Sequence, residues 1–239
     1  MTTTRERLAT ALEGDTPDLT PLSMYSWMMD RPTTRDCTDA WRRLIDAGLG
    51  LAHHCQTVEL LEHGVTRSEE TRTEGDDRYL IRTLETPVGT LRNVKHNGWH
   101  HEDWIKSPED YAIRQWIVEH TEVVPRYENF QKASDEVGDD GVPVVVAGGR
   151  TPAMDINIDW AGTERFCMDI ALEVPELLSL YEAQCKLHRQ VIEAVAAGPG
   201  RFVKWFENLT IDMLGPRRYD DLLVSVYKEC VPILEGGDK

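Results

Sequence analysis

The chain has 239 residues, of which 41% carry apolar side chains, and this is enough to build one sizeable buried core. Its 26 Lys and Arg stand against 42 Asp and Glu, and a formal net charge of −16 argues against nucleic acid or anionic membrane as a partner. No stretch approaches 18 uninterrupted apolar residues and no apolar signal region opens the chain, so we expect a cytoplasmic protein. Reduced, mostly buried thiols are expected for the scattered cysteines Cys37, Cys55, Cys167, Cys185 and Cys230.

The N-terminal part alternates short helices with short apolar strands. Residues 4–14 carry apolar side chains at positions 8, 11 and 12 and end at a glycine, which predicts an amphipathic helix. An extended segment is predicted over 19–25, a helix over 34–47 that ends at Gly48, and a second apolar strand over 49–54.

Between residues 58 and 96 apolar and polar side chains alternate, which is typical of antiparallel strands with one face in water. The clearest pair covers 79–85 and 90–94. The connection Thr86-Pro87-Val88-Gly89 contains the proline and glycine that favour a hairpin turn.

From Ser107 onward, helices alternate with two further apolar strands. Helices are predicted over 108–120, 125–133, 152–159, 163–172, 175–197 and 216–230. Residues 142–147 form a continuous apolar run followed by Gly148-Gly149, which is typical of a parallel strand covered on both faces. The next strand is predicted over 201–206.

Strands that alternate with long helices indicate a parallel α/β fold, wound as a barrel or as a doubly wound sheet. No Gly-x-Gly-x-x-Gly follows any of the strands, which argues against a dinucleotide-binding fold. Only four strands of parallel type are found, near positions 20, 50, 144 and 203, whereas a closed (β/α)8 barrel needs eight.

Several motifs carry a family resemblance. They are Thr4-Arg5-Glu6-Arg7 with Ala11-Leu12, Pro17-Asp18 and Pro21; Glu85-Thr86-Pro87-Val88-Gly89-Thr90-Leu91; and, more weakly, Pro175-Glu176-Leu177-Leu178, Glu207-Asn208 and Gly215-Pro216. The chain resembles the uroporphyrinogen decarboxylase superfamily, especially its cobalamin-dependent methyltransferase-like branch. The resemblance implies a TIM barrel truncated to about half, as one incomplete domain over 1–239. It also implies an N-terminal helical extension over 1–18 and an antiparallel hairpin insertion over 58–97.

Two departures from the family pattern bear on the activity. Uroporphyrinogen decarboxylases clamp the carboxylates of their substrate with an Arg-Gln-Ala-Gly-Arg stretch, where this chain has Met24-Tyr25-Ser26-Trp27-Met28-Met29-Asp30-Arg31. Decarboxylation of uroporphyrinogen is therefore not expected. The methyltransferase branch binds zinc through a His-x-Cys motif and a later cysteine, on a strand that would follow Lys239, so no zinc ligand is assigned within this chain.

The resemblance implies the N-terminal part of an enzyme that, when complete, transfers a methyl group from a corrinoid protein to a thiol held on zinc. A decarboxylase-like lyase with another substrate and a non-catalytic binding module remain alternatives. We expect no catalysis from this chain alone, and self-association through the open edge of its sheet.

The active site of a (β/α) barrel lies at the carboxyl ends of its strands, where six residues of this chain are candidates. A carboxylate and neutral imidazoles can move protons, so the catalytic candidates are Glu207, His53 and His54. The candidates for binding a small-molecule substrate are Gly149, Arg150 and Asn208. Structural alternatives are packing or solvent contact for the histidines and a salt bridge for Arg150.

Two further groups of polar residues have simpler interpretations. The histidines at 96, 100 and 101, with Glu102 and Asp103, resemble a metal-ligand cluster on a loop, but no fixed spacing supports a site and we expect surface exposure. Asp155 and Asp159 lie four apart on a predicted helix, where a solvated acidic face is expected.

Overall fold

The computed structural model describes residues 2–29 and 37–239. Asp30 and Arg31 of the altered clamp region, and the start of the helix predicted from 34, lie outside the described residues. In chain order the strands are β1 (Leu22–Tyr25), β2 (Leu49–Cys55), β3 (Val58–Glu62), β4 (Thr66–Glu74), β5 (Asp77–Thr86), β6 (Gly89–His96), β7 (Trp99–Glu102), β8 (Thr121–Pro125), β9 (Gly141–Val146) and β10 (Val203–Lys204).

The helices are α1 (Thr4–Leu12), α2 (Asp39–Asp46), α3 (Pro108–Glu119), α4 (Glu128–Val137), α5 (Pro152–Asp155), α6 (Thr163–Ala171), α7 (Pro175–Ala197), α8 (Ile211–Tyr219) and α9 (Ser225–Gly236). Two π-helical segments continue α5 over Ile156–Ala161 and join α8 to α9 over Asp220–Val224. None of the described helices is both long enough and apolar enough to span a bilayer.

A curled sheet of four parallel strands, in the order β1-β2-β9-β10, forms the centre of the fold. The predicted α/β class and the four parallel strands are therefore confirmed. Successive side chains of a strand point to opposite faces. One face, here called the inner face, carries Ala52, His54, Val142 and Val144 and packs against Leu8 of α1. Helices α4, α7 and α9 cover the opposite, outer face.

Strand β9 is the most buried part of the sheet, and every residue from Gly141 to Val146 is buried. Its β-branched residues fill both faces, as expected for a parallel strand with several helices on one side and helix α1 on the other. Val145 packs on α7, and Val142 and Val144 pack on α1. Gly141 lies so close to β2 that a Cβ atom added there would be 2.0 Å from the carbonyl oxygen of Leu51.

Helix α7 supplies the largest share of the core. Its prediction over 175–197 is confirmed to the residue, with Pro175 at the start and Gly198 after the end. The side chains that it buries against the sheet and α3 include Leu177, Leu180, Val191, Ile192 and Val195.

The antiparallel segment between β2 and β9 forms two sheets, β4-β5-β6-β7 and β3-β8. The hairpin predicted over 79–94 is confirmed, with Leu84 opposite Leu91. The helix predicted over 125–133 begins only at Glu128, because the preceding residues pair with β3, with Pro125 opposite Val58. That pairing joins segments about sixty residues apart, and no local pattern predicts it.

Two other elements differ from the prediction. The strand expected over 201–206 is shortened to Val203–Lys204. The helix expected over 216–230 extends to Gly236 and is preceded by a further turn, with Gly215 (φ +72°) forming the kink between them.

The close approach of β9 to β2 predicts an effect of Gly141→Ala. The added methyl group must push apart the two central strands, so we expect the free energy of unfolding to fall by at least about 2 kcal/mol. Urea denaturation measures this change. The matched control is Gly236→Ala, where nothing lies within 4 Å of the new atom. Equal stability of Gly141→Ala and the wild type would contradict the close packing of these strands.

Candidate functional site

The carboxyl ends of β9 and β10 bring the main candidate residues together. After β9 the chain turns through Gly148 and Gly149, whose φ angles of +71° and +103° favour glycine. The two segments stay paired beyond the strands, because the Phe206 N–H donates to the carbonyl oxygen of Gly149 at 3.1 Å. Arg150 and Glu207 follow directly on the two sides of this pair.

Glu207 is held through one carboxyl oxygen only. Its Oε1 accepts hydrogen bonds from the Thr151 N–H and the Tyr227 hydroxyl, both at 3.2 Å. Its Oε2 is buried and has no partner among the described residues. Burial raises the pKa of Glu207 above its ordinary value, partly offset by the hydrogen bonds. The carboxyl group therefore keeps a proton to higher pH than an exposed glutamate, and one of its oxygens can accept a hydrogen bond from a ligand.

Arg150 is oriented by two oxygen acceptors. Its Nη1 lies 2.5 Å from Asp159 Oδ2 and its Nη2 lies 3.2 Å from Asn208 Oδ1. Its Nε is buried and has no partner in the described part of the chain. Arg150, Asn208 and Glu207 thus form one constellation, here called the carboxyl-edge site, with Gly149 beside them. Asp159 is exposed, as expected for a solvated acidic face, and it also forms an ion pair with Arg150.

Buried polar atoms without partners concentrate around the same edge. Nine such side-chain atoms occur in residues 2–29 and 37–239, although native proteins leave few buried polar groups unsatisfied. Six of the nine belong to segments that end or follow β2, β9 and β10: His54 Nε2, Thr57 Oγ1, Arg150 Nε, Thr151 Oγ1, Asn157 Oδ1 and Glu207 Oε2. Three of these atoms, Arg150 Nε, Thr151 Oγ1 and Glu207 Oε2, belong to the carboxyl-edge site and the residue next to it.

A second layer of side chains supports Glu207 from behind. Trp205 packs on Tyr227, with 5.9 Å between ring centroids, and its indole N–H donates to His188 Nε2 at 3.2 Å. Burial lowers the pKa of His188 to about 4, so the imidazole is neutral at pH 7 and can accept this hydrogen bond. Helix α7 and helix α9 thereby fix the orientation of the Glu207 carboxyl group.

Asp155 lies beside this layer and does not form the solvated face that we expected. Its Oδ2 accepts a hydrogen bond from Gln184 at 2.5 Å and lies 3.9 Å from Arg114 Nη2. Desolvation raises the pKa of Asp155 to about 6, opposed by the charge of Arg114. Arg114 also stacks on Trp160, with its guanidinium carbon 3.6 Å from the ring centroid. The expectation fails because Arg114 reaches Asp155 only through the packing of α3 against α5 and α7.

The two candidate histidines of β2 are separated by the alternation of the strand. His54 lies on the inner face, with its ring 4.9 Å from Tyr25 and 5.1 Å from Phe206, which precedes Glu207. Burial, and then the charge of Lys204, lower the pKa of His54 to about 4. His53 lies on the outer face, where it contacts Ser26 at 2.8 Å and Glu136 at 3.1 Å, away from the carboxyl-edge site.

The described residues do not form a metal site. No group of three or more His, Cys, Asp or Glu side chains within 2–29 and 37–239 is arranged to hold an ion. His96 contacts Asp77 at 2.7 Å and the exposed His100 contacts Asp103 at 3.3 Å. These histidines lie on or beside the paired strands β6 and β7, in place of the expected loop.

The sequence did not identify Thr151, Asn157 or Tyr227 as site residues. Thr151 directly follows Gly148-Gly149-Arg150, and this position after a strand end is the one sequence signal that could have identified it as a site residue. Tyr227 lies 20 residues after Glu207 on another helix, and only tertiary packing brings its hydroxyl to the carboxyl group.

Comparison with protein-family models, with curated proteins and with solved structures gives no match for this chain.

The neutral His188 predicts a dependence of stability on acid. The folded state stays unprotonated down to about pH 4, whereas the unfolded state binds a proton below the ordinary pKa of 6.5. The stabilisation is complete above pH 6.5 and is lost as the pH falls towards 4, at up to about 1.4 kcal/mol per pH unit. We expect His188→Gln to reduce this slope in urea denaturation series, and the exposed His63→Gln to keep it. A wild-type slope in His188→Gln would contradict a neutral, buried His188.

Proposed function

We propose that this chain forms half of a TIM-type barrel enzyme of the uroporphyrinogen decarboxylase superfamily, in the cobalamin-dependent methyltransferase-like branch. In this proposal the carboxyl-edge site binds the small polar substrate that accepts the methyl group. The observation that carries the proposal is Glu207, a buried carboxyl group with one oxygen fixed by Thr151 and Tyr227 and the other without a partner.

The arrangement of the sheet supports a barrel. The four strands follow one another in space in chain order and all run parallel, as successive strands of a (β/α)8 barrel do. Helix α1 packs on the inner face of the sheet through Leu8, and the antiparallel sheets are inserted between β2 and β9. Both features agree with the N-terminal extension and the hairpin insertion that the resemblance implies.

The chemistry of the site suits a substrate that carries a thiol or a hydroxyl group. Such a group donates a hydrogen bond to Glu207 Oε2, and its proton moves to that oxygen when the sulfur or oxygen becomes a nucleophile. The raised pKa of Glu207 favours its holding the proton. The Arg150 guanidinium places positive charge nearby, although Asp159 already compensates part of it.

Zinc, which the resemblance implies for the complete enzyme, does not fit the residues described here. Within residues 2–29 and 37–239 no three His, Cys, Asp or Glu side chains are grouped as zinc ligands would be. The carboxyl-edge site contains the carboxyl groups of Glu207 and Asp159, of which Asp159 pairs with Arg150. The contribution of this chain is therefore substrate binding and proton transfer, with the corrinoid carried by a partner protein as methyl donor.

Binding of a small thiol tests this proposal. With 2-mercaptoethanol as the probe, we expect the backbone NMR signals of Thr151 and Glu207 to shift in a saturable manner. Glu207→Gln should weaken binding at least tenfold, because the amide presents the substrate with a weaker acceptor. The matched control Glu70→Gln, on the exposed strand β4, should bind the thiol as the wild type does.

Two outcomes would overturn the proposal. If the wild type leaves the signals of Thr151 and Glu207 unchanged while uroporphyrin shifts them, the decarboxylase-like alternative replaces it. If neither probe binds, the chain is better described as a non-catalytic module.

A second proposal concerns what pairs with the open edge of the four-stranded parallel sheet at β1. Within the described residues β1 pairs only with β2, which leaves one side of its backbone without a strand. Leu22 is 71% exposed there, and Trp27 and Met28 just beyond it are 62% and 54% exposed. Because unpaired edges with apolar side chains favour strand addition, we propose that this edge pairs with a second copy of the chain.

Sedimentation velocity tests this pairing. We expect the wild type to show a concentration-dependent monomer–dimer equilibrium and Leu22→Lys to shift it towards monomer, because a charge on an edge strand opposes pairing. Leu172→Lys is the matched control, since Leu172 is equally exposed, at 72%, but lies at the end of α6. A wild type that is monomeric at every concentration, or equal dimerisation of both variants, would contradict the proposal.

A further inference from the structure

The inner face of the sheet borders an apolar groove that the carboxyl-edge site does not use. The groove has a volume of about 600 Å³ and lies between α1, the sheet and the end of α9. Its apolar lining includes Phe202 and the exposed side chains of Leu12 and Val231, while Leu8, Val142 and Val144 form its largely buried floor. An alkyl chain of moderate length would find a continuous apolar surface here.

Three cations and one carboxylate line this groove, namely Arg201, Lys204, Lys239 and Glu235, and Lys204 forms no ion pair within the described part of the chain. Of the other two, Arg201 pairs with Glu13 at 3.0 Å, and Lys239 donates to the carbonyl oxygen of Gly198 at 2.5 Å. No carboxylate of residues 2–29 and 37–239 lies within ion-pair distance of Lys204. Its ammonium nitrogen instead lies 3.6 Å from the ring centroid of Tyr25 and 4.4 Å from that of Phe206.

These two aromatic rings hold the ammonium group without neutralising it. Cation–π contacts stabilise a cation but leave its full charge available to an anion. The two rings also contact His54, so the lysine and the histidine share one aromatic surround. His54 Nε2 is buried and has no partner among the described atoms, and in its Nε2–H tautomer the ring has a hydrogen bond to donate.

The positive charge of Lys204 selects the ligand. The chain as a whole carries a net charge of −16, yet Lys204 has no carboxylate partner among the described residues. A carboxylate would receive a charge-assisted hydrogen bond from Lys204, whereas an ammonium group would be repelled.

We propose that the groove binds an amphipathic monocarboxylate, with its carboxylate on Lys204 and its alkyl chain along Leu12, Phe202 and Val231. This proposal does not depend on the function of Glu207, since the two sites share no residue. It also leaves the edge of β1 free, because strand addition extends the sheet without covering the inner face.

Isothermal titration calorimetry with octanoate tests the proposal, with 1-octanol and acetate as probes that lack the charge or the chain. We expect saturable octanoate binding to the wild type, and binding at least tenfold weaker for each of the other two probes. Lys204→Met keeps an unbranched side chain over the two rings and removes the charge. It should weaken octanoate binding at least tenfold and leave the affinity for 1-octanol unchanged.

Two further variants keep the result interpretable. Lys132→Met removes an exposed lysine of α4 and should bind octanoate as the wild type does. Leu12→Glu places a negative charge on an exposed position of the lining, and should weaken the binding of octanoate more than that of 1-octanol. Thermal melts check that each variant is folded. Equal octanoate affinity of Lys204→Met and the wild type, or equal affinity of the wild type for octanoate and 1-octanol, would overturn the proposal.

Discussion

Strand β9 lies between two parallel neighbours, and its pairing with them sets the positions of the segments that follow it. Its six residues are buried, and Gly141 allows its backbone to approach that of Leu51. Because parallel strands bring their carboxyl ends to one edge, this pairing also places the segments after β9 and β10 side by side. Arg150, Thr151, Glu207 and Asn208 meet for that reason, although more than fifty residues separate the two segments.

Burial determines the protonation of the groups around that edge. It raises the pKa of Glu207 and lowers the pKa of His188, so the carboxyl group retains its proton more readily while the imidazole behind it stays neutral. The inner face differs, since the Lys204 ammonium group lies against two aromatic rings there and no acidic partner lies within ion-pair distance in the described part of the chain. One sheet thus presents a hydrogen-bonding site at its edge and, on its face, an apolar groove that includes Lys204.

Elements with local signals could be predicted from the sequence. Helix α7 has Pro175 at its start and Gly198 at its end, and the apolar run of β9 admits few alternatives. Long-range contacts could not be predicted in this way. The strand Thr121–Pro125 forms because β3 lies opposite it, and Asp155 leaves the solvent because Arg114 packs over it from another helix. For the site, strand ends identified Glu207, Arg150 and Asn208, whereas the contact from Tyr227 required the folded chain.

Glu207 is a buried carboxyl group with one oxygen fixed and the other without a partner among the described residues. The most direct test is an NMR titration that follows the side-chain carboxyl carbon of Glu207 as the pH is varied. We expect a pKa above the ordinary value of 4.5, because burial is the largest influence on this group. A pKa at or below 4.5 would show a solvated or fully hydrogen-bonded carboxylate, which contradicts a buried Glu207 with an unpartnered oxygen.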